Sequence, residues 1–337
     1  MDRIRKIADA VLYEGYLLWP YRRSALKNQQ RWTFGGVYPE AYSLPRGEDD
    51  PWWMQTQCLV EGTGGASVNV GVRFLHVVER QVERRTASGG LEPVDELTVG
   101  EERHLSWQEA TERELAASEL ELAALEDPRR LDIAVEAAED REELLDSTGE
   151  PVGAILRSWC PLAGTVEIRS EPRGDALHRL TVRIENRTPW EGGTRERALR
   201  HTLCSTHTVI RTGDAELVSQ TDPPDHLRAE VEACENVGTW PVLAGEEGDR
   251  GVVLSSRIIL PDHPQIAPES PGDLFDGGEI DQMLVLNILS LTDEEKAEMR
   301  DTDPRTREIL ERTESLSPDQ LMALHGAVRE SQAVRVS

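Results

Sequence analysis

His201, Cys204 and His207 stand three residues apart in "RHTLCSTH", an H-x-x-C-x-x-H pattern of residue types that ligate transition metals. On a helix this spacing would align all three side chains. The apolar alternation of the following "TVIRTG" reads as a strand, however, where residues three apart point to opposite faces. No fourth ligand lies nearby in the sequence. A second group of ligand types, His263, Glu269, Asp273, Asp276, Glu279 and Asp281, falls in "PDHPQIAPESPGDLFDGGEID". Carboxylates on a stiff Pro/Gly loop would suit a hard cation, but their order does not match an EF-hand. The same loop, through Glu269, Asp273, Phe275 and Asp276, also reads as a docking surface. Nucleophilic and phosphate chemistry find less support. There is no G-x-S-x-G elbow, and the Gly-rich "EGTGGASVNVG" leads into a strand without the Lys-Ser/Thr of a P-loop.

The aromatic residues are unevenly placed. Ten of the sixteen Trp, Tyr and Phe residues lie between Tyr13 and Trp53. Within "VLYEGYLLWPYRRSALKNQQRW", Tyr13, Tyr16, Trp19, Tyr21 and Trp32 alternate with Arg22, Arg23 and Lys27. Aromatic and arginine side chains anchor protein interfaces, because each buries a large area and keeps a polar handle. Two readings stay open: the rings pack onto the body while the arginines pair with acidic groups, or the segment is a partner-binding arm. The Arg22–Arg23 pair is not an export signal, since "NQQRW" stands where an apolar stretch would have to follow.

Charge narrows the partners. The 337-residue chain carries a formal net charge of −26, yet Arg3, Arg5, Lys6, Arg22, Arg23, Lys27 and Arg31 outnumber Asp2, Asp9 and Glu14 before residue 32. A field of that sign repels nucleic acid and anionic membranes. The four cysteines include no C-x-x-C pair, which predicts reduced thiols in a cytoplasmic protein. No apolar run reaches the ~18 residues that a transmembrane helix needs.

The elements that must position these residues read mainly as strands. Ile4, Ile7, Ala8, Val11 and Leu12 recur at helical spacing. Val68, Val70, Val72 and Phe74 alternate with Asn69, Gly71 and Arg73, and Leu180, Val182 and Ile184 do the same beside Val166 and Ile168. The acidic stretch 106–126 reads as a helix. Capping patterns at Thr292, Asp303 and Ser317 predict three short helices over about 293–330. The expected fold is mainly β (α+β): an antiparallel β-sandwich-like body with an N-terminal helix and aromatic arm and a small C-terminal helical segment. The expected segments are 1–53 (helix and arm), 54–291 (β body) and 292–337 (helices and tail).

Three stretches, "LYEGYLLWPYRRSALKNQQRWTFGGVYPEAY", "GTWPVLAGEEGDRGVVLSSRIILPDHPQIAPESPGDLFDGGEIDQML" and "LTDEEKAEMRDTDPRTREILERTESL", resemble a family of uncharacterised bacterial proteins. That family is encoded among the structural and maturation genes of nickel–iron uptake hydrogenases. The resemblance covers nearly the full length and is weakest over 110–150. It carries no catalytic residues across. It implies a cytoplasmic accessory factor for hydrogenase assembly or function, and no mechanism. Together with the aromatic-basic arm and the lack of a catalytic constellation, it leads to the expectation of a non-enzymatic accessory, scaffold or assembly factor, without cofactor, that binds a hydrogenase subunit or maturation protein. The competing reading is a metal-handling protein or metalloenzyme built on His201, Cys204, His207 or His263.

Overall fold

Period-two alternation along the middle of the chain becomes two packed antiparallel sheets. A computed structural model describes residues 3–14, 35–47 and 50–264, with positions 293, 296, 297, 300, 307, 310, 311 and 314. The chain divides into two compact units, Met1–Pro264 and Gln265–Ser337.

The first unit opens with helices α1 (Arg3–Glu14) and α2 (Glu40–Ser43). Strands β1 (Trp53–Glu61), β2 (Ser67–Arg85), β3 (Leu91–Val94), β4 (Glu96–Val99) and β5 (Glu102–Leu105) follow. Next come β6 (Trp107–Glu121), β7 (Arg129–Val135), β8 (Ala138–Leu145) and β9 (Pro151–Trp159). Then β10 (Leu162–Pro172) and β11 (Leu177–Asn186) lead to α3 (Arg195–Leu199). The unit ends with β12 (Cys204–Thr212), β13 (Glu216–Leu217), α4 (Arg228–Glu232), β14 (Trp240–Leu243) and β15 (Val252–Ser256).

One sheet runs β13-β1-β11-β10-β7, and a second is built around β2. The alternating residues named above meet between them. Val68, Val70, Val72 and Phe74 from β2 share one buried core with Val166 and Ile168 from β10 and Leu180, Val182 and Ile184 from β11. The five apolar residues of α1 are also buried, and the helix packs on β12 and β2. Burial of such a face, more than helix propensity, stabilises a short helix.

Strand β2 organises the second sheet. Along one edge it pairs with β6 from Ser67 to Arg80 and then with β3 from Val82. Its other edge pairs with β12 as far as Leu75 and with β9 from Glu79. His76, Val77 and Val78 therefore fall where two neighbouring strands part. Beyond the break, Val82, Leu144 and Ile155 form a small core of their own, to which Leu97 and Val99 of the β4–β5 hairpin add.

The acidic stretch 106–126 is a correction. It is not a helix but strand β6 followed by a short 3-10 turn over Ala123–Glu126. Its Glu, Ala and Leu residues favour a helix by only a few tenths of a kcal/mol each, ~0.7 at most. Pairing with β2 outweighs that preference, because it hydrogen-bonds a long strand edge and turns Leu115, Ala117 and Leu120 toward the core. The "LDIAVEA" segment that follows enters strand β7, which ends at Val135. In "DHLRAEVEACENVG", Leu227, Val231 and Cys234 recur at helical spacing, but the regular structure is short, a 3-10 turn at Asp225–Leu227 continued by α4.

In the second unit the described positions are helical, spaced three or four apart in two groups around 293–300 and 307–314. Glu314 pairs with Lys296 at 3.3 Å and with Arg300 at 2.5 Å. Among the described residues no helix is long and apolar enough to cross a membrane. All four cysteines are free.

Candidate protein-docking face

Four segments distant in sequence converge beside the start of β12. Val37 bridges Leu203, with backbone hydrogen bonds of 2.9 and 3.1 Å. The amide of Tyr38 donates to the Pro51 carbonyl at 2.8 Å. Asn186, fully buried at the end of β11, ties the rest together. Its side-chain amide donates to the carbonyls of Val37 and His201, both at 2.8 Å, and its oxygen accepts from the Thr188 amide at 2.9 Å. At Gly36 a Cβ would stand 2.9 Å from the Tyr38 ring and 3.1 Å from Thr202, so the chain needs glycine for this ring to fold back.

On this frame sits a chain of rings. Tyr38 and Tyr42 stack at 5.3 Å between centroids, Tyr42 meets the edge of Trp190 at 5.6 Å, and Trp190 meets His201 at 5.9 Å. Arginines cover them. Arg46 lies 3.9 Å over the Tyr42 ring, Arg195 5.4 Å from that of Tyr38 and Arg197 5.8 Å from that of Trp190. A neighbouring pair of indoles carries two more, Arg183 at 4.0 Å over Trp53 and Arg187 at 4.5 Å over Trp52. An arginine over a ring gains roughly 0.5–1 kcal/mol where exposed and more where water is excluded.

Three of these arginines also meet carboxylates. Arg195 reaches both oxygens of Asp50, at 3.2 and 3.3 Å, and donates to the Tyr38 hydroxyl. Tyr42 donates to the same Asp50 at 3.1 Å, and burial followed by that carboxylate pushes its pKa up. Arg183 and Arg187 each donate to Glu185 at 2.7 Å, and Arg187 also pairs with Glu40 of α2. Burial works against the charge on Glu185, yet the two arginines hold its carboxyl below the usual range. Burial lowers the His201 pKa, the Pro161 backbone opposes this, and Arg200 and Arg197 lower it further.

Helix α3 presents Arg195 and Arg197. Its N-cap is Thr194, whose hydroxyl accepts from the Arg197 amide at 3.3 Å. Gly193, at φ +138°, leaves room for the Arg197 side chain, since a Cβ there would stand 2.9 Å from its Cδ. Alanine at Thr194 is expected to cost about 1 kcal/mol of stability, read from the urea midpoint.

The residues singled out by spacing fare differently. Among the described residues no three His, Cys, Asp or Glu side chains are arranged to hold a metal ion. His201 lies in the turn after α3, against Trp190. The buried Cys204 thiol faces the carbonyls of Leu199 and Thr202, at 3.9 and 3.7 Å. His207 follows a bulge in β12 at which Ser205 adopts φ +50°, and it is cross-strand neighbour to Arg73. His263 is elsewhere, its Nδ1 3.1 Å from the Gly245 carbonyl. The bulge and the turn break the three-residue spacing that would have aligned the ligands.

Tyr16, Trp19, Tyr21, Arg22, Arg23, Lys27 and Trp32 of the arm lie outside the described residues, as do Glu269, Asp273, Phe275 and Asp276 of the loop. Of Tyr13 only the backbone, near the end of α1, is described. A separate cleft of about 380 Å³ lies between α1 and the outer face of β2, β6 and β12. Arg73 within it is matched by Asp9 at 2.6 Å and Glu112 at 3.1 Å, so its charge is answered internally.

Sequence reasoning missed Trp190, Arg195 and Arg197. The signal that pointed to them is local: a lone Trp in the turn "TPWEGGT", followed directly by the Arg-rich "RERALR". Compared with models of protein families, with curated proteins and with solved structures, the chain matches none.

Proposed function

We propose that this chain is a non-enzymatic accessory protein that binds another protein through the arginine–aromatic face. On the resemblance described above, the partner is a subunit or maturation protein of a nickel–iron hydrogenase. The observation that carries the docking reading is the run of half-buried Trp52, Trp53 and Trp190 under arginine guanidinium groups. These residue types supply most interface hot spots, where a rigid ring fills a pocket and the arginine satisfies polar groups at its margin. Backbone hydrogen bonds and Asn186 fix the rings before any partner arrives, which lowers the ordering cost of association. In this proposal the aromatic-basic arm around Tyr16, Trp19, Arg22 and Arg23 contributes a second contact.

The test is affinity capture of the tagged protein from its own host, grown to express hydrogenase, with bound proteins identified by mass spectrometry. Trp190→Ala and Trp19→Ala/Arg22→Ala variants run alongside, each checked for an unchanged thermal unfolding midpoint. Loss of a hot-spot ring is expected to weaken capture of hydrogenase proteins by about 2 kcal/mol, or roughly 30-fold. If hydrogenase proteins are present in the lysate and none is captured, the assignment falls.

A further inference from the structure

We infer that the occupant of the arginine–aromatic face is an acidic peptide segment of the partner, whose carboxylates are read by Arg46 and Arg197. This rests on the docking reading above and adds the partner's chemistry to it. The five arginines of the face divide into two kinds. Arg183, Arg187 and Arg195 are neutralised by Glu185, Glu40 and Asp50 of the same chain. Arg46 and Arg197 are exposed and have no carboxylate within ion-pair distance among the described residues, although Glu191 and Glu196 are exposed near Arg197 in sequence. Each is set against a ring instead, Tyr42 for Arg46 and Trp190 for Arg197.

A guanidinium held against a ring keeps the N–H donors at its edge. That edge is a rigid fork matched to a carboxylate, and the ring has already restricted the side chain's freedom. Arg46 uses one donor on the Tyr42 carbonyl, at 2.7 Å, which fixes its plane further. Tyr42 and Trp190 touch, so the two forks stand on adjoining rings of one surface. Charge selects the same occupant. On a chain of net charge −26 a basic segment is drawn to many places, whereas an acidic segment is attracted only where positive groups gather. At physiological salt the rest of the field is screened beyond about 8 Å, so a short acidic segment can settle there. A long polyanion such as RNA would cross the repelling surface on either side.

The test uses the full chain and a fluorescein-labelled peptide of alternating glutamate and leucine, followed by fluorescence anisotropy at low and physiological salt. A lysine–leucine peptide and a single-stranded RNA oligonucleotide serve as the other arms. The glutamate peptide is expected to bind, more weakly as salt rises, and each of Arg46→Gln and Arg197→Gln is expected to weaken it about tenfold. Near-UV circular dichroism checks that the variants keep the ring packing. No binding of the glutamate peptide, equal binding by the variants, or tighter binding of the lysine peptide or the RNA overturns the inference. Host partner capture that needs Trp190 but not Arg46 or Arg197 also overturns it, and leaves the docking reading standing.

Discussion

Asn186→Ala is expected to lower the unfolding free energy by about 3 kcal/mol, and to disorder the arginine–aromatic face as it does so. The side chain is wholly buried and makes three hydrogen bonds of 2.8–2.9 Å. Alanine removes all three and leaves their partners in a place that water reaches poorly. The cost is uneven. The Val37 carbonyl keeps its bond from the Leu203 amide, so it is only partly orphaned. The His201 carbonyl and the Thr188 amide lose the bonds described here, and each buried unsatisfied group costs roughly 1–3 kcal/mol. Urea unfolding measures the total. The link to function is separable: tryptophan emission and near-UV circular dichroism should change before global unfolding, because Asn186 joins the segments bearing Tyr38 and Trp190. A variant as stable as the parent, with an unchanged near-UV spectrum, would show that this amide does not hold the face together.

The contacts of Asn186 are not legible in the sequence. Asn186 acts on Val37 across 149 residues, and Arg195 on Tyr38 across 157. Periodicity reports only which side of its own element a residue faces. It placed Val68 to Phe74 and Leu180 to Ile184 on inner sheet faces correctly, since the buried face of a strand repeats every second residue. Composition located the concentration of aromatic residues up to Trp53, but not Arg183, Arg187 and Arg195, which lie over three of them. Periodicity failed at β6, where the helix-forming composition of "ATERELAASELE" is local and the strand that captures it is not. The strand read from "TVIRTG" lies in β12 through Thr212, but how His201, Cys204 and His207 stand to one another could not be read from their spacing. A turn and a bulge lie between the three side chains, and the spacing rules assume one regular element.

The second large effect is on acid stability. His76 and His207 are fully buried, and their pKa values are held down to about 4. Burial is the main cause for both. Arg113 and then His201 add to it at His76, against the Cys160 backbone; Arg73 adds to it at His207, against the Ser205 carbonyl and Glu112. Among the described residues neither ring nitrogen of His76, nor Nε2 of His207, makes a hydrogen bond of ordinary geometry, and the Cys160 backbone offsets the shift at His76 only in part, so neutral rings are what this interior accommodates. The unfolded chain binds a proton on each near its ordinary value of 6.5, whereas the folded chain does so only near 4. Between those values the unfolded state holds more protons, so stability falls as pH falls through this window. The full shift corresponds to about 3 kcal/mol for each ring. A domain is typically stable by about 5–15 kcal/mol, so the two together would remove much of that margin before most carboxylates are protonated. Urea midpoints measured from about pH 7 to about pH 4 should fall steeply, and His76→Leu or His207→Leu should each flatten the slope by about half. A midpoint that stays level across the window in the parent protein would mean that both rings take up protons in the folded state, and that the interior around β2 and β12 is wetter than its packing implies.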